Sequence, residues 1–205
     1  MNLDSITSAY KRYAPVYDII FGKLFDPGRN VLISQMECKA GDVILEVGVG
    51  TGISLLSYPD ITTVTGIDVS KEMLEKAEEK IQKAEATNVS VKLMDAQNME
   101  FPDNSFDKLA LMYVVSVVPD PVKLMQEAKR VCKPGGDIMV LNHFSNSGRI
   151  INFFEKKLSK ISEKLGWVPD FSVDKFIKEN NLEVINSTPV NLFGYWTVLH
   201  IKNNG

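Results

Sequence analysis

Three glycines at alternate positions close the first predicted strand and open the first predicted helix, in the segment Leu45–Gly52. Glycine lets the backbone turn tightly and approach a ligand closely, because it has no Cβ. Twenty positions after Gly48, Asp68 ends the second predicted strand, where a carboxylate can bind the two hydroxyls of a ribose. The spacing predicts a nucleoside site at the carboxyl edge of a parallel sheet, and an ordinary tight turn is the weaker interpretation.

From Asp42 onward, short β-branched runs alternate with helical patterns, which is typical of a parallel sheet covered by helices. The seven predicted strands are Val43–Val47, Thr63–Ile67, Val89–Met94, Asp107–Met112, Asp137–Asn142, Leu182–Asn186 and Trp196–Ile201. The clearest helix is Lys71–Ala86, and a second runs from about Val122 to Cys132, where Pro134 stops it. We predict an α/β fold, Rossmann-like and doubly wound, with a mostly parallel seven-stranded sheet and helices on both faces.

The length of 205 residues is typical of one domain. Hydrophobic residues make up 44% of the chain, which is enough for a sizeable core. No linker or internal repeat interrupts the sequence, so we predict a single domain over residues 1–205. Its predicted parts are an N-terminal helical lid or cap over 1–37, a nucleoside-binding core over 38–147, a helical insertion over 148–180 and the last strands over 181–205.

Several classes of protein are disfavoured by composition. The longest apolar stretch, Leu109–Val118, is about half the length that a membrane-spanning helix needs. The N-terminus lacks the basic leader and apolar core of a secretion signal, so we expect a cytoplasmic protein, at most peripherally associated with the inner membrane face. The net charge of −3 gives no general attraction to nucleic acid, and Cys38 and Cys132 lack metal-ligand spacing. We expect neither a nucleic-acid partner nor a metal.

The third glycine helps to identify the nucleoside. The dinucleotide fingerprint requires glycine or alanine at position 53, but this chain has Ile53 there and its third glycine, Gly52, comes one residue earlier. Glu46 places a carboxylate near the tail of the ligand, where it suits an ammonium better than a pyrophosphate. Both features favour S-adenosylmethionine (SAM) over NAD as the cofactor.

From about Ala40 to Asn142 the chain resembles the Rossmann-like, class I SAM-dependent methyltransferases. The resemblance rests on the glycine segment and Asp68, and on the later segments Met94–Ala96, Phe101–Asp107 and Arg130–Gly136. The family needs no metal for methyl transfer. Much of the acceleration in such an in-line reaction comes from holding donor and acceptor in line.

The resemblance implies a set of cofactor residues. They are Tyr10, Glu46, Gly48, Val49, Gly50, Thr51, Gly52, Asp68, Val69, Met73, Asp95, Ala96, Met112, Tyr113 and Ser116. In this set the glycine segment would surround the methionine part, Asp68 would hold the ribose and Asp95 would bind the adenine edge. Residues after the fourth predicted strand would lie beneath the sulfonium. For Val69, Met73 and Met112, packing in the core is the alternative.

Two segments lie outside the alternation of strands and helices: the cap over 1–37 and the insertion over 148–180. We expect them to bind the methyl acceptor. Tyr10, Tyr13 and Tyr17 in the N-terminal cap predict a lid helix whose aromatic faces meet a cationic nitrogen, and simple packing is the alternative. In the insertion, residues 149–165 form an amphipathic pattern with five basic and two acidic side chains. Basic amphipathic helices bind anionic membrane surfaces. A surface helix that covers the sheet is the alternative.

A closer resemblance covers nearly the whole chain. The segments Tyr10–Asp18, Leu45–Gly52, Val115–Pro119, Asn142–Phe144 and Leu165–Trp167 are similar to those of bacterial phosphatidylethanolamine N-methyltransferases of the membrane-associating type. This family implies stepwise methylation of the lipid amine toward phosphatidylcholine. Two alternatives stay open: a methyltransferase for a quinone ring or a small soluble acceptor, and a catalytically silent SAM-binding module.

A lipid ethanolamine is protonated at neutral pH, so its proton must leave before the nitrogen attacks. His143 follows the fifth predicted strand and has an ordinary pKa of about 6.5, which makes it the candidate general base. Contact with the lipid phosphate and a structural role are its alternatives, and Tyr17 is the second catalytic candidate. The predicted substrate-binding residues are Arg12, Tyr13, Asn142 and Arg149. The expected partner is a lipid substrate at an anionic membrane surface, and a monomer is compatible with the sequence.

Overall fold

A seven-stranded sheet organises the chain in the computed structural model, which describes residues 26–144, 171–191 and 194–205. The strands are β1 (Val43–Val47), β2 (Thr63–Asp68), β3 (Val89–Leu93), β4 (Phe106–Met112), β5 (Cys132–His143), β6 (Glu183–Val190) and β7 (Trp196–Lys202). Their order is β3-β2-β1-β4-β5-β7-β6, and only β7 runs antiparallel to its two neighbours. The predicted α/β fold with a mostly parallel sheet is confirmed.

Helices cover both faces of this sheet. They are α1 (residues 26–35), α2 (Lys71–Lys83), α3 (Pro121–Val131) and α4 (Val173–Glu179). Along β1, Ile44 packs on the face that contains Leu32 of α1 and Leu74 of α2. The next residue, Leu45, packs on the opposite face with Leu124 of α3. This alternation follows from the two-residue period of a strand and gives the sheet an apolar layer on each side.

The helix starts follow local capping chemistry. The hydroxyl of Ser70 accepts a hydrogen bond from the backbone N–H of Met73 at 3.3 Å, which satisfies one of the free donors at the start of α2. At the start of α3, the carboxylate of Asp120 accepts from the N–H groups of Val122 and Lys123, each at 3.0 Å. Pro121 suits the first turn because the N–H that it lacks would have no helical partner.

The helix predicted directly after the glycine segment does not form. Residues 50–62 contain only a short 3-10 helix, Leu55–Ser57, before β2 begins. Gly50 and Gly52 have φ values of +53° and +72°, which are outside the right-handed helical region. Pro59 follows two residues after the short helix and prevents its extension. The first crossover is therefore a compact turn.

Strand β5 begins five residues earlier than predicted. Cys132, predicted to end the second helix, and residues 133–136, predicted to follow it as a turn, join the sheet because Cys132 pairs with Phe106 of β4 and the ladder then shifts register. Asn203, after β7, stabilises this early part through side-chain N–H groups that donate to the carbonyls of Cys132 at 2.8 Å and Lys129 at 3.0 Å. These contacts join positions that are about seventy residues apart in sequence, so local propensity did not predict them.

Parts of the predicted cap and insertion lie outside the described residues. Helix α1 is the described part of the cap over 1–37, and α4 is the described helix of the insertion over 148–180. Within residues 26–144, 171–191 and 194–205, no helix has the length and apolar character needed to cross a membrane.

Gly52 provides a test of the packing between the glycine segment and α2. A Cβ at Gly52 would lie 2.8 Å from the Cβ of Ala77, whereas a Cβ at Gly41 would have no neighbour within 4 Å. Both residues have positive φ, so both Gly→Ala variants share the backbone strain. We expect Gly52→Ala to lower the free energy of unfolding by about 1–3 kcal/mol more than Gly41→Ala, as measured by urea denaturation. Equal losses of unfolding free energy in the two variants would show that Ala77 moves enough to accommodate the added methyl group.

Candidate functional site

A cavity opens at the carboxyl ends of β1, β2 and β4, where ligands bind in open sheets of this type. Its volume is about 1050 Å³ including the solvent-facing mouth. Twelve of the predicted cofactor residues line it: Glu46, Gly48, Val49, Gly50, Thr51, Asp68, Val69, Met73, Asp95, Ala96, Met112 and Tyr113. The fold therefore brings together, around one cavity, residues that are up to 67 positions apart in the chain.

The carboxylate of Asp68 joins the two turns that form the floor of the cavity. One of its oxygens accepts a hydrogen bond from the N–H of Gly50 at 2.8 Å, and the other accepts from the N–H of Ser70 at 2.9 Å. Burial raises the pKa of Asp68, and these backbone N–H groups oppose that rise. A carboxylate has about four acceptor positions, so both oxygens keep a lone pair for the hydroxyls of a ribose.

Glu46 is a buried carboxylate in the wall of the cavity, with 2% of its surface exposed. Its Oε1 accepts a hydrogen bond from the hydroxyl of Ser54, while its Oε2 is buried and has no hydrogen-bond partner among the residues that the structure describes. Burial raises the pKa of Glu46, and the hydroxyls of Ser54 and Tyr58 and the charge of Arg29 lower it. A buried acceptor without a donor suits the ammonium group of a ligand. Together, Asp68 and Glu46 fit a nucleoside that carries an ammonium, as SAM does.

The far end of the cavity is formed by the residues after β3. The carboxylate of Asp95 accepts hydrogen bonds from the backbone N–H of Gln97 at 2.8 Å and from its side-chain amide at 3.3 Å. The amide oxygen of Gln97 accepts from the N–H of Asp120 at 2.9 Å, which ties this loop to the start of α3. Met73 lines the cavity and is also 2% exposed, so its predicted cofactor role and its packing role coexist.

Four predicted residues lie away from the cavity lining. Gly52 packs against Ala77 of α2 rather than facing the ligand space. Ser116, predicted for the floor beneath the sulfonium, instead donates a hydrogen bond to the side-chain oxygen of Asn142 at 3.1 Å. Asn142, predicted to bind substrate, is 1% exposed and its amide donates to the carbonyl of His143 at 2.7 Å. Ser116 and Asn142 are hydrogen-bonded to each other inside the protein, and neither lines the described cavity.

His143 is the fourth of these residues. It ends β5, is 2% exposed, and its ring lies 4.3 Å from the ring of Tyr195 at a tilt of 33°. Burial lowers the pKa of His143 to about 4, so the ring is neutral at pH 7. A neutral ring can accept a proton, but a base with this pKa accepts one weakly, and it does not attract a phosphate through charge. The catalytic role of His143 stays a prediction.

Five predicted site residues lie outside the described parts of the chain. They are Tyr10, Arg12, Tyr13, Tyr17 and Arg149, and their roles stay predictions. Among residues 26–144, 171–191 and 194–205, no group of histidine, cysteine, aspartate and glutamate side chains is arranged to hold a metal ion.

Sequence reasoning missed Arg29, which α1 brings into the wall of the cavity. Arg29 is buried, with 8% of its surface exposed. Its guanidinium forms an ion pair with Asp26 at 3.0 Å. The guanidinium also lies over the ring of Tyr113, 5.4 Å from the ring centroid. No motif surrounds Arg29 in the sequence, so only the packing of α1 against the end of β4 identifies it.

Comparison with known proteins gives a family match over the core of the chain. A family model described as "Methyltransferase domain" matches residues 45–140, which run from the glycine segment into β5. A phosphatidylethanolamine N-methyltransferase from Cereibacter sphaeroides is 39% identical over 203 residues, 98% of this chain and 99% of that protein. A demethylmenaquinone methyltransferase from Shouchella clausii is 30% identical over 183 residues, 82% of this chain and 78% of that protein.

Solved structures share the fold at lower sequence identity. A SAM-dependent methyltransferase from Aquifex aeolicus matches with a TM-score of 0.71 at 20% identity, over 96% of this chain and 98% of that one. The YcgJ protein of Bacillus subtilis matches with a TM-score of 0.70 at 21% identity, over 86% of this chain and 98% of that one. At these identities the likeness concerns the fold alone.

The buried charge of Glu46 predicts opposite effects on stability and on ligand binding. Its raised pKa means that the folded state binds a proton more tightly than the unfolded state, so ionisation opposes folding as the pH rises through that pKa. We expect Glu46→Gln to be more stable than the wild type at pH 8 and to lose that advantage in acid. Its affinity for S-adenosylhomocysteine (SAH) should fall about tenfold or more, because a hydrogen bond to a charged group is lost.

Urea denaturation across pH and calorimetry with SAH measure these two effects. Glu75→Gln is the matched control, because Glu75 lies on the outer side of α2 with 59% of its side chain exposed. It should change neither quantity. Equal stability of Glu46→Gln and the wild type at every pH would show that the ionised carboxylate is well tolerated in the fold.

Proposed function

The chain belongs to the class I SAM-dependent methyltransferases, and from this premise we propose that it methylates the amine of phosphatidylethanolamine. The observation that carries the proposal is the similarity to a phosphatidylethanolamine N-methyltransferase along nearly the full length of both proteins. That similarity includes the cap and the insertion, where the predicted acceptor residues lie. The demethylmenaquinone methyltransferase covers less of this chain and makes a quinone ring the second candidate acceptor.

The described residues divide the work of holding the donor. Asp68 binds the ribose, Asp95 the adenine edge and Glu46 the ammonium of the methionine part. When bound, SAM supplies an electrophilic methyl group on a sulfonium. The protein's contribution is mainly orientation, which in well-aligned reactions is worth about 7–11 kcal/mol. The glycine segment packs closely against Val114, whose side chain lies 2.9 Å from where a Cβ of Gly48 would be.

The acceptor amine must be uncharged when it attacks. His143 stays the predicted proton acceptor: its ring at the end of β5 is neutral, but it is buried outside the described lining of the cavity and is a weak base. Tyr17 is the second candidate, for orienting the amine or relaying the proton. Arg12 and Arg149 are the candidates for the lipid phosphate, since a guanidinium matches phosphate oxygens in a fork. Tyr13 contacts the headgroup in this scheme.

The basic insertion brings the protein to its substrate. Residues 149–165 carry five basic and two acidic side chains in a chain whose net charge is −3. Each Lys or Arg near an anionic membrane is worth about 1 kcal/mol of attraction at low screening. The protein therefore associates peripherally with an anionic membrane surface, where phosphatidylethanolamine is present.

Incubation with methyl-labelled SAM and vesicles tests the acceptor. We expect label in the extracted lipid when the vesicles contain phosphatidylethanolamine and phosphatidylglycerol. We expect less label, and less protein sedimenting with the vesicles, when a zwitterionic lipid replaces the anionic phosphatidylglycerol, because the basic insertion then loses its attraction. Chromatography of the extract identifies the methylated products.

Three outcomes would contradict the proposal or a part of it. Label in demethylmenaquinone, supplied in a parallel incubation, and none in the lipid would assign the chain to the quinone methyltransferases. Binding of SAH without label in either acceptor would identify a SAM-binding module that lacks transfer activity. Equal sedimentation with anionic and zwitterionic vesicles would remove the role of the basic insertion.

The two histidines of the chain provide a matched test of the proton acceptor. His143→Gln should lower the turnover number by at least about tenfold, since general-base catalysis typically contributes more than that, and should leave the affinity for SAH unchanged. His200→Gln is the control, because His200 lies on β7 and its ring binds the carboxylate of Asp137 at 2.9 Å. Wild-type turnover in His143→Gln would return His143 to a structural role.

A further inference from the structure

Arg29 is the only basic side chain among the described residues that line the cavity. The other charged residues in that lining are acidic: Glu46, Asp68 and Asp95. Keeping a guanidinium 8% exposed among apolar and acidic groups is unfavourable unless it is paired. Its one ion pair within the described chain is with Asp26, whose own side chain is 45% exposed. A single partially solvated partner leaves most of the five N–H donors of the guanidinium available to a ligand.

The surroundings hold the guanidinium in a fixed orientation. On one side Asp26 binds Nη1 at 3.0 Å, and beneath it lies the ring of Tyr113. Gly28 allows this approach of α1, because a Cβ there would lie 2.9 Å from the Tyr113 hydroxyl and 2.8 Å from the side-chain nitrogen of Asn191. A planar guanidinium stacked on an aromatic ring is already oriented for a two-pronged contact with a planar anion.

Tyr113 itself is held in an unusual conformation. Its φ of +60° is in the left-handed region, which a non-glycine residue adopts only when its surroundings impose it. Its backbone N–H donates to the carbonyl of Leu141 on β5 at 2.6 Å, and its hydroxyl accepts from the amide of Asn191 at 3.3 Å. The ring is thereby positioned between the end of β4 and α1, where it supports the guanidinium.

We infer that Arg29 binds the carboxylate of the methionine part of SAM, while Glu46, which lines the same cavity, binds the ammonium of that amino acid group. Two opposite charges in one cavity match the two opposite charges of an α-amino acid. The positive charge of Arg29 interacts with Glu46. Burial raises the pKa of that carboxyl group, and the charge of Arg29 lowers it. Tyr113 is a positioning residue that acts through Arg29. The inference concerns the methyl donor, so it holds whichever acceptor the enzyme methylates.

The phosphate of a lipid acceptor is the other anion that a guanidinium in this cavity can bind. The carboxylate is favoured because Arg29 and Glu46 line the same cavity, and the buried Oε2 of Glu46 suits the ammonium that accompanies that carboxylate. In an α-amino acid the ammonium and the carboxylate are attached to the same carbon, so one group of the ligand meets both charges. Ligands that differ only in the carboxylate distinguish the two sources.

Calorimetry with SAH and with decarboxylated SAH, which keeps the ammonium, tests the assignment. We expect Arg29→Met to weaken SAH binding about ten- to hundredfold and to change binding of the decarboxylated ligand by less than about threefold. Glu46→Gln should weaken both ligands, because both carry the ammonium. Tyr113→Leu should reproduce the selective loss seen in Arg29→Met, whereas Tyr113→Phe, which keeps the ring, should retain most of the affinity for SAH.

Three results would overturn the inference. Equal weakening of both ligands by Arg29→Met would make Arg29 a structural residue. Unchanged binding of both would remove it from the donor site. A rise in KM for the lipid with unchanged SAH affinity would assign Arg29 to the acceptor phosphate. Arg29→Lys, which keeps the charge but not the planar fork, serves as the second variant, and thermal unfolding confirms that each variant is folded before binding is compared.

Discussion

The hydrogen bonds of Asp68 hold together the part of the molecule on which the rest of the site depends. Its two carboxylate oxygens bind the N–H of Gly50 in the glycine segment and the N–H of Ser70 at the start of α2. Its backbone carbonyl accepts from the N–H of Met94, just after β3, at 2.9 Å. One residue thus aligns the ends of three neighbouring strands. The same residue lines the cavity with the carboxylate that is predicted to bind the ribose, so one side chain links the geometry of the fold to that of the proposed cofactor site.

The charges of the cavity show a conflict between stability and binding. Glu46 and Asp68 are carboxylates whose burial raises their pKa, so in their ionised forms both oppose folding. Their retention in the cavity wall is understandable if a ligand supplies the missing donors. Arg29 offsets part of this negative charge, and the ring of Tyr113 holds it in place. The site is therefore preorganised for a ligand with ammonium and carboxylate groups. The unfavourable burial of these charges is offset only when the methyl donor is bound.

The similarity to known proteins and the geometry answer different questions. Family membership assigns the methyl donor, and the cavity fits that donor through Asp68 and Glu46. The predicted acceptor residues Tyr13, Tyr17 and Arg149 belong to the cap and the insertion and lie outside the described residues, so the acceptor assignment rests on other grounds. Full-length similarity to a phosphatidylethanolamine N-methyltransferase supports a lipid amine as the acceptor. The donor and the acceptor assignments can therefore be tested by independent experiments.

The sequence by itself determined the strands of the sheet and many of the residues that line its cavity. Runs of β-branched residues and the spacing from Gly48 to Asp68 are local features; the runs predicted strands that the structure contains, and the spacing identified residues that line the cavity. Only the tertiary structure decided the rest. Positive φ values shortened the first crossover to a 3-10 turn, and contacts from Asn203 extended β5. Ser116 turned inward to Asn142, and α1 brought Arg29 onto Tyr113. The physical reason is that these outcomes depend on pairs of residues distant in sequence, whose mutual packing and hydrogen bonding leave no periodic or motif signal in the chain.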